Sequence, residues 1–320
     1  MNNNLYKEIT IVLVLYEEEF KLINQCLENI KNFNIVIIDN AGNKRLKQKI
    51  NKKFDITKYV LNPKNVGYSK AVNQGINLCF TDYVFVYQAD CMMSIKSIEI
   101  LFNAHKKYNN CFLVSPTTYD LNSNLTFNGS PLPEKNLGDN VIYLEGDICV
   151  DTIVTAAYLF KKKDMVNIGF FDENFFLYFL DKDFCRTVNN EKKSIIQVFD
   201  SKTIHVHGSL KVKNPFKKIF FRNYYFTFDE LYYYYKINKH HKIFDKLKKK
   251  LPNYWIKFLF NIFILRFDKS IKYIALILAF FKFKRFIKNY SNWLDKHTCQ
   301  LIINLIIVDI IFIQGVLYNY

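Results

Sequence analysis

GFFDENFFLYFLDKDFCR, residues 169–186, sets six phenylalanines, one tyrosine and four acidic residues in eighteen positions. An ordinary core helix does not bracket an aromatic run with Asp172 and Glu173 on one side and Asp181 and Asp183 on the other. One reading is an aromatic wall with carboxylates at its rim, where burial raises a carboxyl pKa and makes a stronger base once ionised. The other is a loop and helix start, with Asp181 or Asp183 as N-cap and the aromatics in a core. The stretch alone supports both.

Upstream, Ile9–Leu15 (ITIVLVL) is a nearly continuous β-branched run of strand length, as in a central parallel strand buried on both faces. Phe20, Ile23, Leu27 and Ile30 follow at helical spacing. Asn34–Ile38 reads as a second buried strand ending on Asp39-Asn40, and Lys58–Leu61 as a short third. Ligands of open α/β sheets bind just outside the carboxyl ends of the strands, which is where Asp39 falls. A polar residue closing any strand looks the same. Asn65–Gly75 (NVGYSKAVNQG) combines a tight turn at Gly67 with Ser69 as a candidate helix cap, and a helix N-terminus there is an anion site. Tyr83–Tyr87 is another buried strand running into Gln88-Ala89-Asp90, so Asp90 is placed to hold a divalent cation against a diphosphate. Helix 94–108, strands 111–115 and 153–160, short strands within 118–150, helix 161–168, helix 181–190 and strand 194–199 complete the α/β pattern. A His205-Val206-His207-Gly208-Ser209 turn closes it.

Charge divides the chain. Of 45 Lys and Arg and 29 Asp and Glu, residues 211–320 hold 21 and 6, leaving 24 (45 less 21) and 23 (29 less 6) for the first 210. The basic third is also rich in Phe, Ile, Leu and Tyr, which suits an anionic membrane surface. Nucleic acid is the competing partner for positive charge, but apolar runs such as Leu301–Ile303 have no use there, so no nucleic-acid partner is expected. No window reaches the roughly 18 clean apolar residues of a spanning helix: Lys257, Asn261 and Arg266 interrupt one candidate, and Asn304, Asp309 and Gln314 another. Ile9–Leu15 is closed by Glu17-Glu18-Glu19 and not by a small-residue cleavage site, so no secretion signal is read there. Seven scattered cysteines without a CxxC pair fit reduced thiols. Asn214–Ile237 starts a helix with a Pro in its first turn and could pack on the preceding domain or form an acceptor groove. Apolar helices at 255–267, 271–286 and 301–317 follow, and they either lie on a membrane or pack on each other.

The strand ending in Asp39-Asn40, NVGYSKAVNQG, the strand ending in Gln88-Ala89-Asp90, the 169–186 stretch and the His-Gly-Ser turn occur in one order over residues 8–210. That order resembles the inverting family 2 glycosyltransferases, in particular their bacterial rhamnosyltransferase-like branch. The resemblance implies an α/β protein of the GT-A nucleotide-diphospho-sugar transferase fold, a mixed, mostly parallel sheet flanked by helices. Residues 1–210 would be the catalytic domain and 211–320 a helical, membrane-associating extension. It implies that Asp39 contacts the donor nucleotide and that Asn65, Gly67 and Asn73 shape the donor pocket. Asp90 would bind Mg²⁺ or Mn²⁺, with His205 or His207 near the diphosphate, and Asp181 would be the catalytic base. Asp172, Glu173, Phe176 and Tyr178 would lie on the acceptor side, with Phe175 beside them. The donor would be a UDP- or dTDP-sugar, and the acceptor a glycan or lipid-linked glycan of surface polysaccharide or lipopolysaccharide. The expected place is cytoplasmic, peripheral on the inner face of a bacterial inner membrane.

The chain departs from the pattern at four positions. Glu17 follows Tyr16 where the family commonly has Asn, Gln88 replaces the first acid of the metal motif, Arg186 directly follows Cys185, and Leu180 replaces the Glu that precedes the base. Gln88 and Leu180 keep a second possibility open, a degenerate member that binds nucleotide or glycan without catalysis.

Overall fold

The computed structural model describes residues 5–126, 129–135, 145–153, 156–206 and 214–288. Its strands are β1 (Ile9–Leu15), β2 (Asn34–Asp39), β3 (Lys58–Leu61), β4 (Tyr83–Tyr87), β5 (Cys91–Met93), β6 (Cys111–Tyr119), β7 (Ile148–Cys149), β8 (Ala157–Lys161) and β9 (Ser194–His205). Its helices are α1 (Leu5–Glu8), α2 (Phe20–Ile30), α3 (Lys44–Asn51), α4 (Tyr68–Leu78), α5 (Ile95–Lys107), α6 (Lys162–Ile168), α7 (Leu180–Asn190), α8 (Pro215–Lys236), α9 (His240–Phe263) and α10 (Phe267–Lys288).

The described strands form one mixed sheet in the order β3-β2-β1-β4-β8-β6-β9-β5, with β7 on β9. The half from β3 to β4 is parallel throughout, and β8 enters antiparallel between β4 and β6. β1 is buried on both faces because its side chains alternate. Ile9, Ile11, Leu13 and Leu15 join the layer of α2 and α5, while Val12 joins the layer of α4, α7 and α8. Each such side chain removed from water contributes about 1.5–3 kcal/mol, so this strand anchors both layers. Gly75 lets α4 lie flat on it: a Cβ there would come 2.3 Å from Val12 Cγ1.

Several boundaries differ from the sequence reading. β9 runs six residues past Phe199, because its pairing with β6 resumes beyond an irregularity at Pro116–Thr117. β5, only three residues long, carries no periodicity to read. The strand expected from 153 begins at Ala157. Ser69 is not the cap of α4. Gly67 holds that position, and the Ser69 hydroxyl donates to the carbonyl of Phe175. Neither Asp181 nor Asp183 caps α7: the chain enters that helix through Phe179 in the left-handed region (φ 59°), with no side-chain cap.

α8 starts as read, with Pro215 in its first turn and Asn214 Oδ1 accepting from the Phe216 and Lys217 N–H groups. It packs on α10 through Phe228, Tyr232, Phe283 and Phe286, and α9 joins them where Phe244 stacks on Phe280. At the α9–α10 elbow the apolar side chains point outward instead, with Phe263 86% and Leu265 73% exposed. No described helix is long and apolar enough to cross a membrane. The candidate helix at 301–317 lies outside the described residues. The six described cysteines are free thiols.

Candidate active site

Pairing of Leu15 with Asp39 and of Leu13 with Tyr87 brings the carboxyl ends of β1, β2 and β4 side by side. A cavity of about 250 Å³ opens there. Its floor is formed by Val14, Tyr16, Glu18, Asn40, Gln88, Ala89 and Asp90. One side is formed by Asn65 and Tyr68, and the cover by Phe176–Tyr178 and the first turns of α8. α8 belongs to the basic segment by sequence and to the cavity wall by position.

Asp39 is fully buried behind this floor. Its carboxylate accepts from the Ala41 and Asn43 N–H groups at 2.9 and 3.2 Å and from the Tyr59 hydroxyl at 3.1 Å. Asn40 links the strand end to the next turn: its amide donates to the Gly67 carbonyl, and its Oδ1 accepts from Asn62. Asn65 folds that turn by accepting from the Gly67 N–H at 2.9 Å. Gly67 has φ 91°, and a Cβ on it would stand 2.9 Å from the Phe176 carbonyl oxygen, so a side chain is excluded twice over.

Asn73 does not line the cavity. Its buried amide donates to the Phe171 carbonyl at 2.9 Å and its Oδ1 accepts from the Phe171 N–H at 3.2 Å, which ties α4 to the 169–186 stretch. The Tyr68 N–H adds a bond to the Phe176 carbonyl.

Asp90 and His205 face each other across the β5–β9 edge, with Oδ1 and Nε2 3.4 Å apart. The Cys91 Sγ lies within the same 4.8 Å cluster, but burial pushes its thiol far above the ordinary range, so it stays neutral. One carboxylate that lines the cavity, with one buried imidazole beside it, fits a hard divalent cation that would complete its shell with substrate phosphates and water. Gln88, at the cavity and hydrogen-bonded to Tyr68, can add an amide oxygen but no charge. His207 lies outside the described residues.

The acidic residues of the 169–186 stretch separate into different roles. Lys236, at the end of α8, bridges Asp172 and Asp183 at 2.9 and 2.6 Å, and the Tyr232 hydroxyl also donates to Asp172. Burial raises the Asp172 carboxyl, but Lys236 and the Asn174 N–H outweigh it and hold the pKa below the usual value. Burial raises that of Asp183 despite the same lysine. Glu173 is exposed, 3.5 Å from Lys70 and 3.3 Å from the Asn73 amide. Neither Asp172 nor Glu173 lines the cavity. Phe176 and Tyr178 do, and Phe176 stacks on Tyr225 of α8 at 3.7 Å. Leu180, in the position of the missing Glu, is buried in the core. Asp181 sits in the first turn of α7, half-buried and beside the cavity, with its charge acting on the Tyr68 hydroxyl that lines it. Burial pushes its carboxyl upward, partly offset by Lys182 and by backbone N–H groups. A raised pKa, with no side-chain hydrogen bond or ion pair among the described residues, leaves Asp181 suited to proton transfer.

Two carboxylates in the site were not singled out from the sequence. Asp229 of α8, fully buried, accepts from the N–H groups of Phe176, Leu177 and Tyr178 at 3.2, 2.9 and 2.9 Å, and burial still lifts its pKa to about 6. The signal was an acidic pair, Asp229-Glu230, within the aromatic run FTFDELYYYY. Glu18, on the cavity floor, is raised to about 7, first by burial and in smaller part by Asp90 and Asp39. Its signal was an acidic triplet closing a central strand. Deprotonation of Glu18 adds a negative charge to the floor, so an anionic ligand binds less tightly as pH rises through about 7. Nucleotide titrations from pH 6 to 8 show that decline in the wild type and a flat response in Glu18→Gln; parallel curves would refute it.

The sequence profile described as Glycosyl transferase family 2 matches residues 10–163, which contain β1 to β4 and Asp90. A dTDP-rhamnosyl transferase of Shigella flexneri is 24% identical over 222 residues, 67% of this chain and 72% of the relative. A low-salt glycan biosynthesis hexosyltransferase of Haloferax volcanii is 25% identical over 211 residues, 62% of this chain and 67% of the relative. Among solved structures, GalNAc-T7 with UDP, GalNAc and Mn²⁺ superposes with a TM-score of 0.52 at 12% identity, over 71% of this chain and half of that one. The fold is therefore GT-A, and residues 10–163 of the chain are similar to glycosyltransferase family 2.

Proposed function

We propose that this chain transfers a hexose or deoxyhexose, with inversion, from a UDP- or dTDP-sugar to a glycan or lipid-linked acceptor in bacterial surface polysaccharide or lipopolysaccharide synthesis. The observation that carries the reading is Asp90, paired with His205, at a strand-end cavity covered by the Phe176–Tyr178 loop that leads into Asp181. The named activities of the two sequence relatives, rhamnosyl and hexosyl transfer, support the donor class.

In this mechanism the nucleotide lies along the ends of β1 and β2, with Asp39 acting on the donor nucleotide through the turn it holds and Asn65 and Gly67 shaping its edge. Asp90 and His205 would hold Mg²⁺ or Mn²⁺, which when bound neutralises diphosphate charge as a Lewis acid. The acceptor hydroxyl approaches from the side opposite the leaving diphosphate, through an oxocarbenium-like state. Asp181 takes its proton. Phe176 and Tyr178 exclude water, so transfer outruns hydrolysis. Asp172 and Glu173 border the acceptor side.

The test is a screen of purified protein over UDP-, dTDP- and GDP-sugars, with and without Mn²⁺. Metal-stimulated release of one nucleoside diphosphate is expected, and failure to bind or turn over any of them would refute the reading. Gln88 and the buried Leu180 favour a second reading, a binding protein without turnover; nucleotide binding unaccompanied by transfer to any glycan acceptor would select it.

The basic helices would attach the protein to the inner face of the inner membrane through the α9–α10 elbow, where Ile256, Leu259, Phe260, Phe263 and Leu265 are exposed. Deleting residues from 251 onward would strip α10 from α8, so substitution is the cleaner test. Phe260→Ser/Phe263→Ser/Leu265→Ser is expected to stop pelleting with anionic vesicles while leaving the fold intact. Unchanged pelleting counts against the elbow.

A further inference from the structure

The cavity carries positive charge that none of the recognised motifs accounts for. The first two turns of α8 place Lys217, Lys218 and Arg222 on the same wall. Positions 218 and 222 are one turn apart and 217 is adjacent, so all three occupy one end of the helix. Lys217 is half-buried, 2.9 Å from Glu17 and 5.3 Å from the Tyr16 ring centre. Hydrogen bonds to both residues raise its pKa, which keeps it charged. Arg222 is exposed and has no ion-pair partner among the described residues. Against these three cations stand Asp90 and Glu18 in the cavity, with the Glu18 pKa raised by burial to about 7, and Glu17 beside Lys217. The metal position has one carboxylate, because Gln88 is neutral. The site is thus poor in metal-binding charge and rich in fixed cations.

We infer that Lys217, Lys218 and Arg222 form a phosphate-binding row that holds the donor diphosphate, so that nucleoside diphosphates bind this chain without a metal. The inference rests on the nucleotide-sugar reading of the cavity. Arg222 supplies the planar fork that pairs two phosphate oxygens, and the lysines act as point charges beside it.

The test is calorimetric titration of the full chain in EDTA with UDP, dTDP and GDP and their monophosphates. Wild type is compared with Lys217→Gln/Lys218→Gln/Arg222→Gln, and with Lys218→Arg/Arg222→Lys as a charge-keeping control. Wild type and control are expected to prefer the diphosphate by about tenfold or more, and the neutral variant by about threefold or less with its monophosphate affinity unchanged. Since Lys217 is paired with Glu17, Arg222→Gln alone serves if the triple variant unfolds early, with a partial loss of the preference expected. A wild type without preference in EDTA, or a neutral variant that keeps it, overturns the row. If the substitutions weaken farnesyl diphosphate but not nucleoside diphosphates, the cations serve a lipid-borne phosphate and the donor assignment fails. If no nucleotide binds under any condition, metal included, the donor reading itself fails and the row with it.

Discussion

Asp181→Asn lowers sugar transfer by about 10²–10⁴-fold while donor affinity stays near that of the wild type. The amide has the shape of the carboxylate and cannot accept the acceptor's proton, so the loss falls on the chemical step. Donor affinity is spared because Asp181 stands beside the cavity and does not line it. Its raised carboxyl adds a pH signature. As a base it works only when ionised, so kcat/KM rises with pH on an acid limb above the ordinary carboxylate range, and the variant lacks that limb. Stability moves the other way. A folded pKa above the unfolded one gives a contribution present at low pH and lost as pH rises through the folded value. At neutral pH the Asn variant is therefore at least as stable as the wild type. Initial rates, titration of the nucleoside diphosphate and thermal melts on the same samples separate the three effects. A variant that still transfers sugar at the wild-type rate removes Asp181 from the mechanism.

Asp229→Ala is expected to destabilise the protein by about 3 kcal/mol and to reduce transfer by about 10²-fold. Three N–H groups of the Phe176–Tyr178 loop lose their acceptor together, and the space left is too enclosed for water to replace the carboxylate fully. The same loop positions Phe176 and Tyr178 at the cavity and leads into Asp181, so a shift of about 1 Å is enough to misplace the base. Asp229→Asn keeps one acceptor oxygen and should recover part of both losses. Asp229 is a positioning residue, and the pattern expected of it is a fall in kcat with a lowered melting temperature. A melting temperature within a degree of wild type, together with normal turnover, would show that the loop holds itself.

Much of the scaffold was legible locally. The runs at Ile9–Leu15, Asn34–Ile38 and Tyr83–Tyr87 are strands because parallel central strands are apolar on both faces, and a residue's neighbours in sequence suffice to show that. The Gly67 turn was legible for a similar reason, since a left-handed backbone with a carbonyl pressed against it admits no side chain. Motif order then carried the family resemblance and set Asp90 with His205 or His207 near the diphosphate; the β5–β9 pairing brings Asp90 and His205 together. What could not be read was the fate of each charge. Asp172, Asp181 and Asp183 look alike in the sequence, yet Lys236, more than fifty residues away, takes two of them and leaves the third. Asn73, read as a pocket residue, holds a loop backbone, and Asp39 is enclosed by its own turn. Most of all, α8 was legible as a helix that could pack on the preceding domain or form an acceptor groove, but its amphipathic pattern says only that one face is buried; the residues it brings to the cavity are set by the folded chain. Secondary structure follows from short-range sterics and periodicity, whereas a carboxylate's partner, burial and pKa are set by contacts that only the folded chain creates.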